Sequence, residues 1–345
     1  MPVPPKAAAP QNHLGRKTRA SRRSPKNPPM QQPVRVQLFN WGTAEIEALV
    51  REALREDVGA GDRTVAATVP ANASARARIL AKQELVVAGL PLAQRVFRAL
   101  DGGIEFEATI AEGERAAAGA QLARIEGRAA AILTGERTAL NFLSHLCGVA
   151  TLTRRFVEAI AGTRARIHDT RKTTPLLRAL EKYAVRMGGG ANHRFGLFDA
   201  ILIKENHIAL AGGVMEAIRR ARYYAAAYEP NTREMTAYES FAPPPVGGEL
   251  PIQVEVRSEI ELRTAVLAGA ESVLLDNVTP EEAGRLTAIV RRERAGCAVE
   301  VSGGVTLANV RAYAEAGVDF IAVGALTHSA PAADVSLLVE EGRGE

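Results

Sequence analysis

Cysteine is nearly absent from these 345 residues. Cys147 and Cys297 are the only two, which excludes a disulfide framework, gives no metal-ligand spacing and suits a reducing cytoplasm. No apolar run approaches the ~18 residues that a membrane-crossing helix needs, and no apolar core near the N-terminus marks a secretory signal. Acidic residues are missing from residues 1–36, which carry eight Lys/Arg and eight of the 18 prolines. That stretch has too few large apolar side chains to fold and is read as a disordered basic tail. The formal charge of +4 is concentrated there, since the remaining chain has 35 basic against 39 acidic residues. A basic nucleic-acid-binding face on the folded body is therefore not indicated. No His/Cys cluster points to zinc, and no Ser-His-Asp constellation points to acyl transfer.

What is present is organised around residues 167–207. An apolar run, Ala165 to His168, stops at Asp169-Thr170-Arg171-Lys172. Thr174-Pro175 then supplies an N-cap and a first-turn proline, with Leu176, Leu180, Tyr183 and Met187 at helical spacing and Gly188-Gly189-Gly190 as the stop. A second apolar run, Ala200 to Ile203, ends at Lys204, and His193-Arg194 lie between. Strand, charged end, helix, strand, charged end is the pattern of a parallel β/α unit whose chemistry sits at strand C-termini. Five cationic or potentially cationic groups, Arg171, Lys172, His193, Arg194 and Lys204, thus converge on one mouth, which suits a polyanion.

The unit repeats downstream. Strands are expected at 252–256 with Glu255, 272–275 before Asp276-Asn277, 299–301 before Ser302-Gly303-Gly304, and 320–323 before Gly324-Ala325. Six such units predict an incomplete barrel of six or seven strands over 149–326. Ahead of it, short strands and helices over 37–148 predict an N-terminal α+β domain with a sandwich-like layer, and 327–345 is read as a segment returning to that domain. Residues 228–250 are proline-rich and read as a loop insertion. The two glycine turns late in the barrel can present bare N–H groups to phosphate. Glu255 and Asp276, at the same mouth, can bind sugar hydroxyls or Mg²⁺, a hard cation that takes oxygen ligands.

DTRKTTP, LEKYAVRMGGGANHR and LIKENH resemble the signature segments of quinolinate phosphoribosyltransferase, and EDVGAGDRT and GERTALNFLSHLCGVAT resemble its N-terminal part. The resemblance runs from about Thr43 to about Leu337. Leu176 departs from it, standing where the family's glycine is expected; a leucine there suits a helix. The resemblance implies transfer of phosphoribosyl from phosphoribosyl pyrophosphate to quinolinate with loss of CO₂, with Mg²⁺ on the pyrophosphate. It implies Lys172, Lys204, Glu255 and Asp276 as catalytic. Arg137, Thr170, Arg171, His193 and Arg194 would join them in holding substrate, with Ser302, Gly303, Gly304, Val323, Gly324 and Ala325 around the phosphates. It also implies a cytoplasmic homodimer with composite active sites, higher oligomers remaining open, in which Arg137 serves the neighbouring barrel. Three alternatives stay open: a molybdate-uptake-associated relative with another substrate, a barrel enzyme acting on a different phosphosugar, and a scaffold using the basic tail.

Overall fold

The computed structural model describes residues 39–228 and 250–340. The tail read over 1–36, the insertion read over about 228–250 (apart from its two end residues) and the last five residues lie outside the described residues.

The N-terminal part begins with helix α1, Ala44–Val58, capped by the Thr43 side chain, which accepts the Ile46 N–H. Ile46, Val50 and Leu54 recur at helical spacing and are buried. A short helix, α2 (Arg63–Thr68), follows, capped by Asp62. Strand β1, Ser74–Ala81, alternates exposed and buried residues, as one face of a sheet must. The alternating sequence over residues 74–88 would suit one strand, but β1 stops at Ala81 and Leu85–Val86 forms a separate β2. Helix α3 spans Leu90–Leu100, β3 Glu105–Ala108, β4 Arg115–Ala116 and β5 Gln121–Arg128. Among the described residues β2 pairs only with β4.

Helix α4, Ala129–Ala159, is the longest element and runs across residues 148–149, where the two domains were divided on sequence. It packs on α3 and on the sheet at one end and on the barrel at the other. The main sheet has the order β12-β1-β5-β3, where β12 is Val335–Glu340, antiparallel to β1. The chain approaching β12 crosses α4 closely. Ala333 N–H donates to the Ser144 carbonyl at 2.9 Å, and a Cβ on Gly148 would lie 2.2 Å from the Pro331 carbonyl oxygen. Only glycine allows that approach.

The second part is a six-stranded parallel sheet. Its strands are β6 (Arg166–His168), β7 (Ile201–Ile203), β8 (Ile252–Val256), β9 (Ser272–Asp276), β10 (Ala298–Ser302) and β11 (Phe320–Ala322), in the order β6-β11-β10-β9-β8-β7. Among the described residues β6 and β7 do not pair, so the barrel has an open seam, as expected of an incomplete one. Ala191 partly fills it through bonds to the Ile167 carbonyl (2.8 Å) and from the Asp169 N–H (3.1 Å). Helices α5 (Arg178–Met187), α6 (Glu205–Ala211), α7 (Val214–Ala226), α8 (Glu259–Leu267), α9 (Pro280–Glu293), α10 (Val310–Glu315) and α11 (Ala325–His328) connect the strands. Period-2 alternation sends Val254, Val273, Leu275, Val299 and Val301, all buried, towards these helices. Gln253, Glu255, Leu274, Glu300 and Ser302 have the opposite parity and face the barrel interior. Cys147 is buried, and burial pushes its thiol up to about 12, so it is no nucleophile.

One expectation is corrected in the signature stretch. The helix read from Thr174 begins at Arg178, because Pro175, Leu176 and Leu177 form a turn with Leu176 at φ 67°. Leu176 is therefore not a helix former in place of glycine. It is a β-carbon-bearing residue in the left-handed region, 73% exposed. There it bears roughly 1–2 kcal/mol of backbone strain with little burial in return. Leu176→Gly is expected to raise stability by roughly 0.5–1 kcal/mol, the strain relieved less glycine's entropic cost. Urea unfolding checks this, and a lower midpoint in the variant would contradict the left-handed turn.

Candidate active site

The loops after the barrel strands enclose a cavity of about 580 Å³. Thr170, Arg171, Lys172, His193, Arg194 and Lys204 line one side, and Glu255, Asp276 and Ser302 the other. Nine residues singled out on sequence thus meet in one place. Two larger grooves lie elsewhere, one between α1 and α3 and one across the four-stranded sheet. The first is largely apolar with arginines at its edge, and the second is a surface of Arg–Glu pairs such as Arg76–Glu126. Neither brings together charged ends of several parallel strands, so the barrel mouth is the better candidate.

The remaining sequence-selected residues sit around or away from this cavity. Gly303, at φ 94°, passes so close to Asn277 that a Cβ would fall 2.1 Å from its Oδ1. Gly324 abuts Lys172, whose Cδ would be 3.3 Å from an added Cβ. The Thr327 hydroxyl beyond it donates to the Lys172 carbonyl at 2.7 Å. Val323 and Ala325 belong to the same turn, with Val323 N–H donating to the His168 carbonyl at 2.9 Å. Gly304 has open space where a Cβ would go. Arg137 is exposed on α4 and does not line the cavity.

A buried ion pair holds the cationic side in place. Asp169 is fully buried and accepts from Lys182 Nζ (2.6 Å), Asn192 Nδ2 (2.6 Å) and the His193 N–H (2.8 Å). Lys182, 3% exposed, also donates to the His193 carbonyl at 3.0 Å. The His193 peptide is thus gripped at both its N–H and its C=O. Burial lowers the Lys182 pKa, while the Asp169 charge and hydrogen bond oppose that fall. Arg178 joins the two loops: its Nε donates to Thr173 Oγ1 (3.0 Å) and its guanidinium reaches the carbonyls of Phe195 (3.2 Å) and Arg171 (3.4 Å).

The groups so positioned are short of partners. Arg171 Nε and Arg194 Nε are buried without a hydrogen-bond acceptor. Burial, and then the neighbouring Arg171 charge, lower the Arg194 pKa. Arg194 Nη1 donates to the Ala200 carbonyl at 3.0 Å, and an anion between the two guanidiniums would offset their mutual repulsion. Lys204 Nζ does have a partner, Glu255, at 2.6 Å.

His193 lines the mouth with its ring held at both nitrogens. Its Nδ1 accepts the Arg194 N–H (2.8 Å), which leaves the proton of the neutral ring on Nε2, facing Gln253 Oε1 (2.9 Å) and Glu300 (3.5 Å). Glu300, 1% exposed, also meets His168 Nδ1 at 3.1 Å and accepts from Gln253 Nε2 at 2.6 Å. Burial works to raise the Glu300 pKa, but hydrogen bonds from His168 and His193 hold it well below the usual range. Burial likewise works to lower the His193 pKa, but Glu300, assisted by Gln253 and opposed by the Lys182 charge, raises it. Asp169, Lys182, Asn192, Gln253 and Glu300 were missed on sequence. Glu300 had a visible signal: Val299-Glu300-Val301 repeats the inward-facing position of Val254-Glu255-Val256.

Comparison with known proteins agrees over both parts. The model of the quinolinate phosphoribosyl transferase C-terminal domain matches residues 149–242 and 242–338, and that of the N-terminal domain matches 62–147. A nicotinate-nucleotide pyrophosphorylase (carboxylating) of Mycobacterium leprae is 40% identical over 293 residues, 84% of this chain and 95% of that protein. A probable nicotinate-nucleotide pyrophosphorylase (carboxylating) of Bacillus subtilis is 38% identical over 293 residues, 85% of this chain and 93% of that protein. The solved structure of the nicotinate-nucleotide pyrophosphorylase from Francisella tularensis superposes with a TM-score of 0.76 at 37% identity, covering 86% of this chain and 96% of that one.

The Glu300–His193 pair gives the site a pH dependence. A folded-state His193 pKa above the ordinary value contributes stability that is complete below about pH 6.5 and is lost as pH rises through the folded pKa. Glu300→Gln is expected to bring the His193 titration down, read from its ring-proton resonances. The variant's melting temperature should also change less than the wild type's between about pH 6 and pH 8, the range in which histidine titrates. An unmoved His193 titration would show that Glu300 does not control this ring.

Proposed function

The chain belongs to the quinolinate phosphoribosyltransferase family, and we propose how its barrel mouth divides the work of that family's reaction. The enzyme transfers phosphoribosyl from phosphoribosyl pyrophosphate to quinolinate with decarboxylation, giving nicotinate mononucleotide, CO₂ and pyrophosphate, a step of NAD biosynthesis. Quinolinate is a pyridine with two adjacent carboxylates. Its ring nitrogen attacks the anomeric carbon as the bond to pyrophosphate breaks, through a transition state with oxocarbenium character. The bond from C2 to its carboxylate then breaks to release CO₂, and the electron pair left on C2 takes up a proton.

One observation carries the assignment: Arg171, Lys172 and Arg194 line one cavity at the strand ends, and none of them has an ion-pair partner among the described residues. Fixed guanidiniums bind carboxylates bidentately, and with Lys172 beside them they suit the dianionic pyridine. His193 acts as an oriented ring and as a support for the Arg194 main chain. Glu255 and Asp276 suit the ribose hydroxyls, and the turns at Ser302–Gly304 and Val323–Ala325 suit the phosphates. Lys204, held by Glu255, stands beside the leaving group. No general base is needed for bond making, because the attacking nitrogen carries no proton. Catalysis is then positioning and electrostatic preorganisation.

Mg²⁺ fits as an ion carried by the substrate. Among the described residues no three His, Cys, Asp or Glu side chains cluster as a metal site. Glu255 and Asp276 nevertheless offer oxygen donors of the kind Mg²⁺ takes one or two of when phosphates supply the rest. When bound, the ion neutralises the pyrophosphate as it leaves. We propose a cytoplasmic homodimer with composite sites, which a higher oligomer could repeat. The exposed position of Arg137, away from its own cavity, supports a role in the partner's mouth.

Incubating the protein with quinolinate, phosphoribosyl pyrophosphate and Mg²⁺ should yield both nicotinate mononucleotide and CO₂. Nicotinate should be a poor substitute, because its single carboxylate leaves mouth donors unmet at ~1–3 kcal/mol each. Comparable kcat/KM for the two acids would overturn the assignment of Arg171 and Arg194.

The dimer is tested with two inactive variants, Arg137→Ala and Lys172→Ala, mixed under conditions that exchange subunits. A mixed dimer contains one intact site, built from the barrel of the first and the Arg137 of the second. Equal amounts should recover roughly a quarter of wild-type activity, by the counting of two-fold pairs. Verified exchange without recovery would place Arg137 in cis or outside the reaction.

A further inference from the structure

Arg257 also lines the mouth cavity, together with Glu205. It follows the last residue of β8, two positions beyond Glu255. Its main chain is fixed: the Arg257 N–H donates to Glu261 at 2.8 Å, while Ser258 Oγ accepts the Glu261 N–H at 3.2 Å and caps α8. Its side chain is not committed in the same way. The guanidinium pairs with Glu205 from α6, and both side chains are about half exposed, 49% and 50%. A surface pair of that kind is worth little in itself, so a stronger anion can displace the carboxylate.

The cavity wall holds five Lys/Arg and three Asp/Glu side chains. Among these, Lys204 rests on Glu255 and Arg257 on Glu205, so two cations on the β7–β8 side are masked by internal counterions. Around the mouth the strand ends run β6, β7, β8, β9, β10, β11. With the pyridine at Arg171 and Arg194 by β6, and the 5′-phosphate at the turns after β10 and β11, the pyrophosphate falls towards β7 and β8. We propose that Arg257 is a further substrate-binding residue, taking the pyrophosphate of phosphoribosyl pyrophosphate, with Glu205 as the counterion it leaves on binding. This rests on the reading of the mouth given under Proposed function.

The test compares wild type, Arg257→Gln, Arg257→Lys and Glu205→Gln, with melting temperature as a folding control. Arg257→Gln should raise the KM for phosphoribosyl pyrophosphate about tenfold, the loss of one charge-assisted bond, and leave the KM for quinolinate within about twofold. Arg257→Lys should recover part of the loss, since it keeps the charge but not the fork. Glu205→Gln should tighten binding by freeing the guanidinium, and that gain should vanish when combined with Arg257→Gln. Calorimetry with Mg²⁺–pyrophosphate alone gives a readout independent of turnover. If the wild type does not convert quinolinate, the functional reading fails, yet weaker pyrophosphate binding by Arg257→Gln would still support this residue's role. Unchanged pyrophosphate affinity in Arg257→Gln, or equal shifts in both KM values, would overturn the proposal.

Discussion

The buried contact between Asp169 and Lys182 is the one on which the site depends. A charge pair withdrawn from water is seldom worth its desolvation as a source of stability, so its presence calls for another explanation. The geometry supplies one. Asp169 ends β6 and Lys182 lies on α5, while the peptide they share, at His193, belongs to the connection that returns towards β7. One ion pair therefore fixes the spacing between strand end, helix and loop. Removing either partner would leave a buried charge with nothing to face, a change that costs more than the intact pair contributes. Arg178 adds a second tie by reaching carbonyls on both loops.

From that frame the mouth is built from cations of two kinds: Lys204 and Arg257 rest on Glu255 and Glu205, while Arg171, Lys172 and Arg194 make no ion pair among the described residues. Asp169 is spent on Lys182, Asn192 and the His193 peptide, and Glu300 on two histidines and Gln253. Neither acid reaches Arg171 or Arg194, whose Nε donors stay unmet. The arrangement commits Asp169 and Glu300 to the layer beneath the mouth, where they set the orientation of rings and main chain, and leaves Arg171 and Arg194 without a carboxylate partner. Repulsion between the two arginines is a standing cost that two adjacent carboxylates relieve together.

Strand ends and their charges were legible in the sequence because each is a local pattern: an apolar run stopped by Asp169-Thr170-Arg171-Lys172, by Lys204, by Asp276 or by Ser302-Gly303-Gly304. Their convergence followed from barrel topology alone. The second layer was not legible. Lys182 reads as an exposed helical lysine, and only the seam of the barrel buries it against Asp169. His193 is one of the five groups read as cationic, but its ring contacts, Gln253 and Glu300, are far away in sequence and could not be read from it. Leu176 was misread for a related reason. Proline and N-cap chemistry at Thr174-Pro175 suit a helix start as well as a turn. What decides between them is Glu181, which accepts the Thr174 N–H at 3.1 Å and holds the loop short of the helix.

The open seam between β6 and β7 explains why the N-terminal part and the barrel form one body. A closed barrel would secure its own loops, but here the turn at Gly188–Gly190 lies against α4, the helix that also carries Arg137. A Cβ on Gly188 would come within 2.5 Å of both the Ala150 carbonyl oxygen and the Thr153 Cβ, so glycine is needed for the contact. From the same helix Arg154 donates to the carbonyls of Gly188 (2.9 Å), Met187 (3.1 Å) and Gly113 (3.2 Å), tying the end of α5 to the N-terminal domain. One turn earlier Tyr183 donates to Glu112 at 2.7 Å, and Glu112 in turn accepts the first N–H groups of α3. His145 of α4 meets Glu181, the carboxylate that also holds Thr174. The long helix thus does the bracing that a closed hydrogen-bonded ring would do elsewhere. Through these contacts α4 and the N-terminal domain hold α5, the helix that follows the Arg171–Lys172 loop.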